Sequence, residues 1–145
     1  MKILSTIVLC LGIVAMTATS CKKDDTTTSD ENVVSAKIDG VNFTADTIFA
    51  IVAGGSMSIT SAKGAEKIIL YIPATATTGS HPINFSTYNI MYFDNTGAIY
   101  NSQGGTITIS RYDAAGKSIE GSFTQTMYNG AANKTLTEGV FKVKY

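Results

Sequence analysis

The chain has 145 residues and carries 11 Lys and Arg against 11 Asp and Glu, with no Trp. This length suits one domain, and the absence of any block of Lys or Arg excludes nucleic acid as a partner. Long amphipathic helical patterns are missing, while 13 Gly, 7 Tyr and many Thr and Ser are present, so the composition indicates an all-β protein.

The N-terminal segment has the features of a secretory signal. Lys2 supplies a positive charge, and residues 3–16 form an uncharged apolar stretch, shorter than the roughly 20 residues of a membrane-spanning helix. We therefore expect residues 1–20 to be removed as a signal peptide. The alternative, an N-terminal helix packed in the core, would be followed directly by charged residues, which are a poor continuation for a buried helix.

Cys21 follows Ala18, Thr19 and Ser20, an arrangement that resembles the processing site of bacterial lipoproteins. The resemblance implies that signal peptidase II cleaves before Cys21 and that its sulfur carries diacylglycerol with acyl chains such as palmitate. The protein would then contact the membrane through this lipid anchor. Cys10 would leave with the signal, so no thiol would remain for a disulfide, a cysteine nucleophile or a zinc–thiolate site.

Residues 21–32 are predicted to be the lipidated Cys and a disordered tether, because the stretch KKDDTTTSDEN contains no apolar side chain. Its first four residues resemble the acidic tag by which Bacteroidota export lipoproteins to the cell surface. The alternative is a solvated spacer. The resemblance implies an outer-membrane location with exposure at the cell surface. The candidate tag residues are Lys22, Lys23, Asp24 and Asp25.

Two three-residue stretches, at positions 25–27 and 46–48, resemble the Asp-Thr acceptor for O-glycosylation in Bacteroidota. Matches of this length also arise by chance. The resemblance makes Thr26 and Thr47 candidate glycosylation sites, and Thr26 is the better one because it lies in the predicted tether.

Residues 33–145 are predicted to form a single β-domain that begins with a hairpin. The Asp-Gly pair at positions 39–40 is the pair that a type I′ turn favours, because both central residues of that turn need a positive φ. Alternation agrees with this turn and places four apolar residues on one face. The predicted opposing pairs are Ile38 with Val41 and Ala36 with Phe43.

The next strands are predicted from their apolar patterns. Residues 48–53 and 67–72 are apolar on both faces, which favours central strands, whereas residues 56–60 alternate and should be half exposed. Pro73 should end its strand, and residues 74–82 should form a loop. A hairpin is predicted from residues 88–93 and 98–101, with residues 94–97 as an ordinary turn.

Three further strands are predicted at residues 106–110, 118–128 and 136–145. The motif Glu-Gly-x-Phe occurs in each of the last two and favours a bulge or close packing at its Gly. Alternation and charge pairing suggest one register for these strands. It sets Phe123 opposite Phe141, Ile119 opposite Tyr145, and Glu120 opposite Lys144.

About ten short strands with local connections predict an antiparallel meander, closed as a two-sheet β-sandwich or, alternatively, as an up-and-down β-barrel. Four motifs resemble an uncharacterised family of Bacteroidota lipoproteins: K-I-D-G-x-x-F at 37–43, T-I-T-I-S at 106–110, I-x-G-S-F at 119–123 and T-E-G-x-F at 137–141. The resemblance implies an all-β lipoprotein and carries no catalytic residue.

Catalytic and metal-binding constellations are not predicted. His81 is the one histidine and has no nucleophile-elbow sequence, so we interpret it as a surface residue. Glu120 and Glu138 would lie about 20 Å apart in the register above, which is too far for a glycosidase pair. No metal site, no cofactor and no enzymatic activity are therefore expected.

Tyrosines supply the candidate ligand-binding residues. Strand tyrosines could form a platform that stacks on sugar rings, although tyrosines are also favoured in strands for packing. The candidates are Tyr88, Tyr92, Tyr100 and Tyr112. We expect a lipid-anchored, non-enzymatic envelope domain that binds a protein or glycan at the outer membrane. The alternatives are a purely structural envelope protein and, third, a hydrolase.

Overall fold

The computed structural model describes residues 31–145. The predicted signal peptide, the lipidation site and most of the predicted tether lie outside these residues. Asn32, near the end of the predicted tether, is bonded to the domain: its side chain accepts from the Lys144 backbone N–H at 2.8 Å and donates to the Lys144 carbonyl at 3.3 Å.

The described chain folds into ten strands. They are β1 Val33–Ile38, β2 Val41–Thr44, β3 Thr47–Ala53, β4 Ser56–Lys63, β5 Glu66–Pro73, β6 Gly79–Pro82, β7 Asn89–Phe93, β8 Ile99–Asp113, β9 Ser118–Tyr128 and β10 Asn133–Lys144. Within residues 31–145, no helix is long and apolar enough to span a membrane.

The strands form one strongly curled antiparallel sheet, a half-barrel, in the order β2-β1-β10-β9-β8-β7-β5-β4-β3, with β6 paired to β8. The all-β antiparallel meander is therefore confirmed, and the two-sheet sandwich is wrong. The reason is β8, which runs for 15 residues and bonds to β7 at its start and to β9 along its length. This one long strand joins the two halves into a continuous hydrogen-bonded ladder.

The hydrophobic core lies inside the curl, where both halves of the sheet send alternate side chains. On β4 and β5, Met57, Ile59, Ile68 and Leu70 are fully buried, while the residues between them face outwards. Because directly opposed residues of antiparallel strands point to the same side, the pleat sorts each strand into an inner and an outer row.

The first hairpin is confirmed. Asp39 and Gly40 have φ values of 50° and 83°, and Ile38 pairs with Val41 as predicted. Val41 is nonetheless 71% exposed, whereas its three predicted face-mates are buried. The exposure follows from position, since β2 is an edge of the sheet and Val41 stands at the turn.

The prediction of a central strand at residues 48–53 is wrong, because β3 is the other edge of the sheet. The prediction for residues 67–72 is confirmed, because β5 lies between β4 and β7. Both stretches are apolar on two faces, so their sequences do not distinguish a doubly buried strand from one that exposes apolar residues. Residues 74–82, predicted as loop, include the short strand β6.

The predicted register of β9 and β10 is displaced by two residues. Phe123 faces Gly139, and Phe141 faces Gly121, instead of the two rings facing each other. A Cβ on Gly139 would lie 2.5 Å from the Phe123 ring, and a Cβ on Gly121 would lie 2.6 Å from the Phe141 ring. Each glycine of the repeated motif thus makes room for the other motif's ring, as the expectation of close packing requires.

Candidate functional site

The outer side of the sheet carries apolar side chains on β3, β5 and β7, with Ser and Thr of β4 between β3 and β5. One cross-strand row runs Phe49–Thr60–Ile69–Met91, and the next runs Ile51–Ser58–Tyr71–Asn89. Phe49, Ile51 and Tyr71 are 62%, 49% and 36% exposed. We call the five apolar members of these rows the outer patch: Phe49, Ile51, Ile69, Tyr71 and Met91.

On these strands the inner positions and several outer positions both carry apolar residues, and the outer ones form the outer patch. On β5 the inner Ile68, Leu70 and Ile72 fill the core, and Ile69 and Tyr71 point outwards between them. Exposed apolar side chains grouped on one face of a sheet are uncommon on monomeric soluble proteins. The sequence contains a signal of the outer patch, because residues 48–53 and 67–72 are apolar on both faces. That pattern was interpreted as a sign of central strands.

Strand β3 lies at the edge of the outer patch and is also an edge strand of the sheet. Within residues 31–145 it forms a ladder with β4 alone, so one side of its backbone faces no other strand. Its seven residues, TIFAIVA, include no charge, Pro or Gly. Edge strands of natural proteins usually contain such residues or are very short, and β3 has neither feature.

A groove of about 500 Å³ adjoins the second half of β3. Ala50, Ile51 and Val52 line one side, and Tyr112, Lys117 and Tyr145 lie among the residues of the other. Burial, followed by a hydrogen bond with Tyr112, raises the pKa of Tyr145 to about 12. Tyr112, Lys117 and Tyr145 thus give the groove a polar wall that faces the apolar residues of β3.

The predicted tyrosine platform is not formed. Tyr88, Tyr92 and Tyr100 are 7%, 2% and 6% exposed, so their ring faces belong to the core. Tyr112 is half-buried and donates its hydroxyl to the Ala74 carbonyl at 2.8 Å. The pleat of a strand decides to which side each side chain points, and it directs Tyr92 and Tyr100 inwards. The presence of tyrosines in the sequence does not reveal that direction.

The buried tyrosines have structural partners. Tyr88 stacks on His81 with ring centroids 4.5 Å apart, and burial raises the pKa of its phenol. Tyr92 lies 5.8 Å from Tyr100 and donates to Glu66 at 2.5 Å. Burial and this bond raise the pKa of Tyr92 well above its usual value. These contacts join strands and leave no ring free for a ligand.

The remaining candidate residues are separated from one another. His81 bonds through Nε2 to the Thr77 carbonyl at 2.8 Å. Glu120 lies 3.6 Å from Arg111, and Glu138 lies 2.8 Å from Lys37.

The observed register sets Glu138 four residues from the partner of Glu120, or about 14 Å instead of 20 Å. The predicted separation was therefore too long, and this pair is still wider than a glycosidase pair of about 5–9.5 Å.

Asp94 forms the ordinary hairpin turn that was predicted. Its carboxylate accepts from the Thr96 hydroxyl at 2.6 Å and from the Thr96 and Ala98 backbone N–H groups, and these bonds lower the pKa of Asp94. The turn closes β7 on β8. In the part of the chain that the structure describes, no group of three His, Cys, Asp or Glu could hold a metal ion.

Thr47 is exposed at the start of β3, so a glycan on its hydroxyl would project from the edge of the sheet. The other candidates outside the β-domain lie in residues 1–30, which the structure does not describe: Cys21, Lys22, Lys23, Asp24, Asp25 and Thr26. Their assignments stay predictions.

A family model described as a domain of unknown function, DUF6252, matches residues 30–143. The match covers every strand from β1 to nearly the end of β10. Comparison with curated proteins gives no match, and comparison with solved structures gives none either.

Proposed function

The chain belongs to the DUF6252 family of domains of unknown function, and we propose that it is a lipid-anchored lipoprotein of the cell envelope whose β-domain binds a partner protein without catalysing a reaction. The proposal places Cys21 in the outer membrane and the domain at the cell surface. Its two parts, anchoring and binding, rest on different observations and are tested separately.

The observation that carries the binding part is the outer patch. Three of its side chains are more than a third exposed, on adjoining rows of a rigid sheet. Burying such a surface against a partner gains free energy in proportion to the apolar area removed from water, at about 25 cal/mol per Å². Lys67 is the one charged residue in the outer rows of β4, β5 and β7, so the complementary surface should be apolar as well.

A protein fits this surface better than a glycan. The exposed rings of the outer patch, Phe49 and Tyr71, lie two strands apart with β4 between them. Its other members, Ile51, Ile69 and Met91, offer a sugar no flat ring. Aromatic residues and Met are enriched in the central part of protein–protein interfaces, and Phe49, Tyr71 and Met91 are of these types.

The anchoring part rests on the sequence preceding the domain. Asn32 starts the folded region, and the 11 residues 22–32 would reach at most about 39 Å when extended, which is enough to hold the domain clear of lipid headgroups. The acidic residues Asp24 and Asp25 support export to the surface through their resemblance to the tag described above.

The anchoring test is mass spectrometry of the mature N-terminus. We expect a terminus at Cys21 with diacylglycerol on its sulfur, and an unmodified Cys21 or a terminus elsewhere would refute the anchor. Protease added to intact cells should remove the domain, and replacement of both Asp24 and Asp25 by Ala should protect it while leaving Cys21 acylated.

The binding test uses a photo-crosslinking amino acid placed in full-length protein in cells. At position 71, on the outer patch, we expect a defined protein adduct whose yield falls when Phe49 is replaced by Lys. The matched control is position 126, an exposed Thr on the outer face of β9. Absence of an adduct at position 71, or equal adducts at both positions, would favour the purely structural alternative.

A further inference from the structure

The two edges of the sheet differ in how well they are protected. Edge β2 has four residues, and Lys63 donates to the Asn42 carbonyl at 3.1 Å, so part of its outer backbone is already bonded. Edge β3 has seven residues without charge, Pro or Gly. Unprotected edges of this kind add a further strand through backbone hydrogen bonds.

The sequence of β3 is complementary to itself in the antiparallel direction. When two copies are centred on Ala50, all seven residues pair, and Thr47 meets Ala53, Ile48 meets Val52, and Phe49 meets Ile51. Phe49, Ile51, Ile48, Val52 and Ala50 then each oppose an apolar residue on the same face, Thr47 opposes Ala53, and no like charges meet. Aromatic and β-branched pairs of this kind stabilise a sheet by about 0.2–1 kcal/mol each.

We infer that β3 pairs edge to edge with β3 of a second copy of this chain, around a two-fold axis at Ala50, so that two half-barrels share one continuous sheet. Phe49 of each copy then packs on Ile51 of the other, and the two outer patches join across the axis. The inner residues of the second strand lie towards the groove of about 500 Å³ beside Ala50 and Val52, which provides room for them.

This inference rests on the proposed function in one respect, since anchoring confines the copies to a membrane. Seven residue pairs make a small interface, and proteins held on one surface meet at a raised effective concentration, so modest pairing suffices. When the two-fold axis lies along the membrane normal, both copies of Asn32 stand at the same height above the membrane, so both anchors reach one bilayer.

Cysteine crosslinking tests the symmetry in full-length protein in cells, in a Cys10→Ser background. In an antiparallel pair, directly opposed Cα atoms lie about 4.5–5.5 Å apart, so Ala50→Cys should form a disulfide with itself. Thr47→Cys and Ala53→Cys are the matched controls. Each lies about 20 Å from its own counterpart and should stay monomeric alone, whereas the two variants coexpressed should crosslink to each other.

A second pair of variants tests the side-chain contacts without a disulfide. Phe49→Lys should lower dimer formation by tenfold or more, and coexpression with Ile51→Glu should restore mixed dimers by placing opposite charges across the axis. Both residues are exposed in the monomer, so neither substitution removes core packing.

Each variant is also purified and checked for its β-sheet circular dichroism signal, so that an Ala50→Cys protein that stays monomeric is known to be folded. A folded Ala50→Cys protein that does not crosslink, or a Thr47→Cys protein that crosslinks equally well alone, overturns the inference. Position 71 lies two strands from the edge, so an adduct there with a different protein would leave the proposed function intact while the dimer fails. Loss of both the Cys21 lipid and the position-71 adduct would refute the proposed function separately.

Discussion

The two halves of the curled sheet have similar inner faces and different outer faces. Inside, β4 and β5 supply Ile59 and Leu70 just as β8 and β9 supply Ile107 and Ile119, all fully buried. Outside, β8 and β9 carry mainly Thr and Ser, whereas β3, β5 and β7 carry the outer patch. Core formation explains the inner residues of both halves, but it does not explain apolar residues on the outside of one.

The two outer faces of the sheet differ in how water solvates them. Thr favours strands, and the hydroxyls of Thr and Ser form hydrogen bonds with water, so water solvates the β8–β9 face. The β3–β7 face instead carries the strand-favouring residues Ile, Phe and Tyr, and these leave apolar surface exposed to water. The partner proposed above would cover that area.

The largest expected effect separates inside from outside on β5. Leu70→Ala should lower the free energy of unfolding by about 2–5 kcal/mol, because it leaves a cavity in the core. Tyr71→Ser, its neighbour on the outer face, should cost about 1 kcal/mol or less. Urea denaturation of both variants measures the contrast, and equal losses would mean that Tyr71 is packed as Leu70 is.

A smaller effect tests the close packing on the other half. Gly139→Ala should cost about 1–3 kcal/mol, because its Cβ would lie 2.5 Å from the Phe123 ring and 2.6 Å from the Phe123 carbonyl oxygen. A Phe123→Leu background removes the ring and serves as the control, so the penalty of the Gly substitution should shrink there. An equal penalty in both backgrounds would attribute the cost to the backbone instead.

Local features of the fold were predictable from sequence, and long-range ones were less so. The first hairpin was predicted correctly because turn type and pairing are both encoded within positions 36–43. The strand predicted from residue 136 begins at Asn133, which displaces the β9–β10 pairing by three residues next to the loop. The bulge at Glu138, with φ 51°, reduces the displacement to two residues from Gly139 onwards. A displacement of two keeps every side chain on its face, so the inner residues were still correct.

The candidate site was less predictable than the fold. Residues 48–53 were expected in the centre of a sheet, and only the strand order of the whole chain reveals β3 as an edge. Tyr92 and Tyr100 were considered for an exposed platform, and their pairing within the pleat places both in the core. Exposure depends on which strands lie side by side, and this is information that short patterns lack.

The smallest effect concerns the contact between the first turn and β10. Asp39 accepts from the Thr135 backbone N–H at 2.8 Å and lies 3.2 Å from the Lys134 ammonium. Partial burial, which alone would raise its pKa, is outweighed by these bonds and by the Lys134 charge, so the pKa of Asp39 lies below its ordinary 3.8. The carboxylate is therefore stabilised in the folded state.

A lowered folded-state pKa gives a definite sign to the pH dependence. The stabilisation is fully present above the ordinary pKa of 3.8 and is lost as the pH falls through the lower folded-state value. Asp39→Asn should keep the turn, because Asn tolerates positive φ, and should remove this part of the acid sensitivity. Since Asp39 is partly exposed, the change should stay below about 1 kcal/mol.

Urea denaturation between pH 7 and pH 2 measures this last effect. The stability difference between the natural protein and Asp39→Asn should be constant near neutral pH and should diminish in acid, below the ordinary Asp value. Asp46→Asn, at an exposed acidic residue between β2 and β3, is the control for removing one negative charge. A difference that grows on acidification would mean that the bonds to Thr135 and Lys134 do not hold the charged form, and the turn would then be joined to β10 by the backbone bond from Asp39 to the Thr135 carbonyl alone.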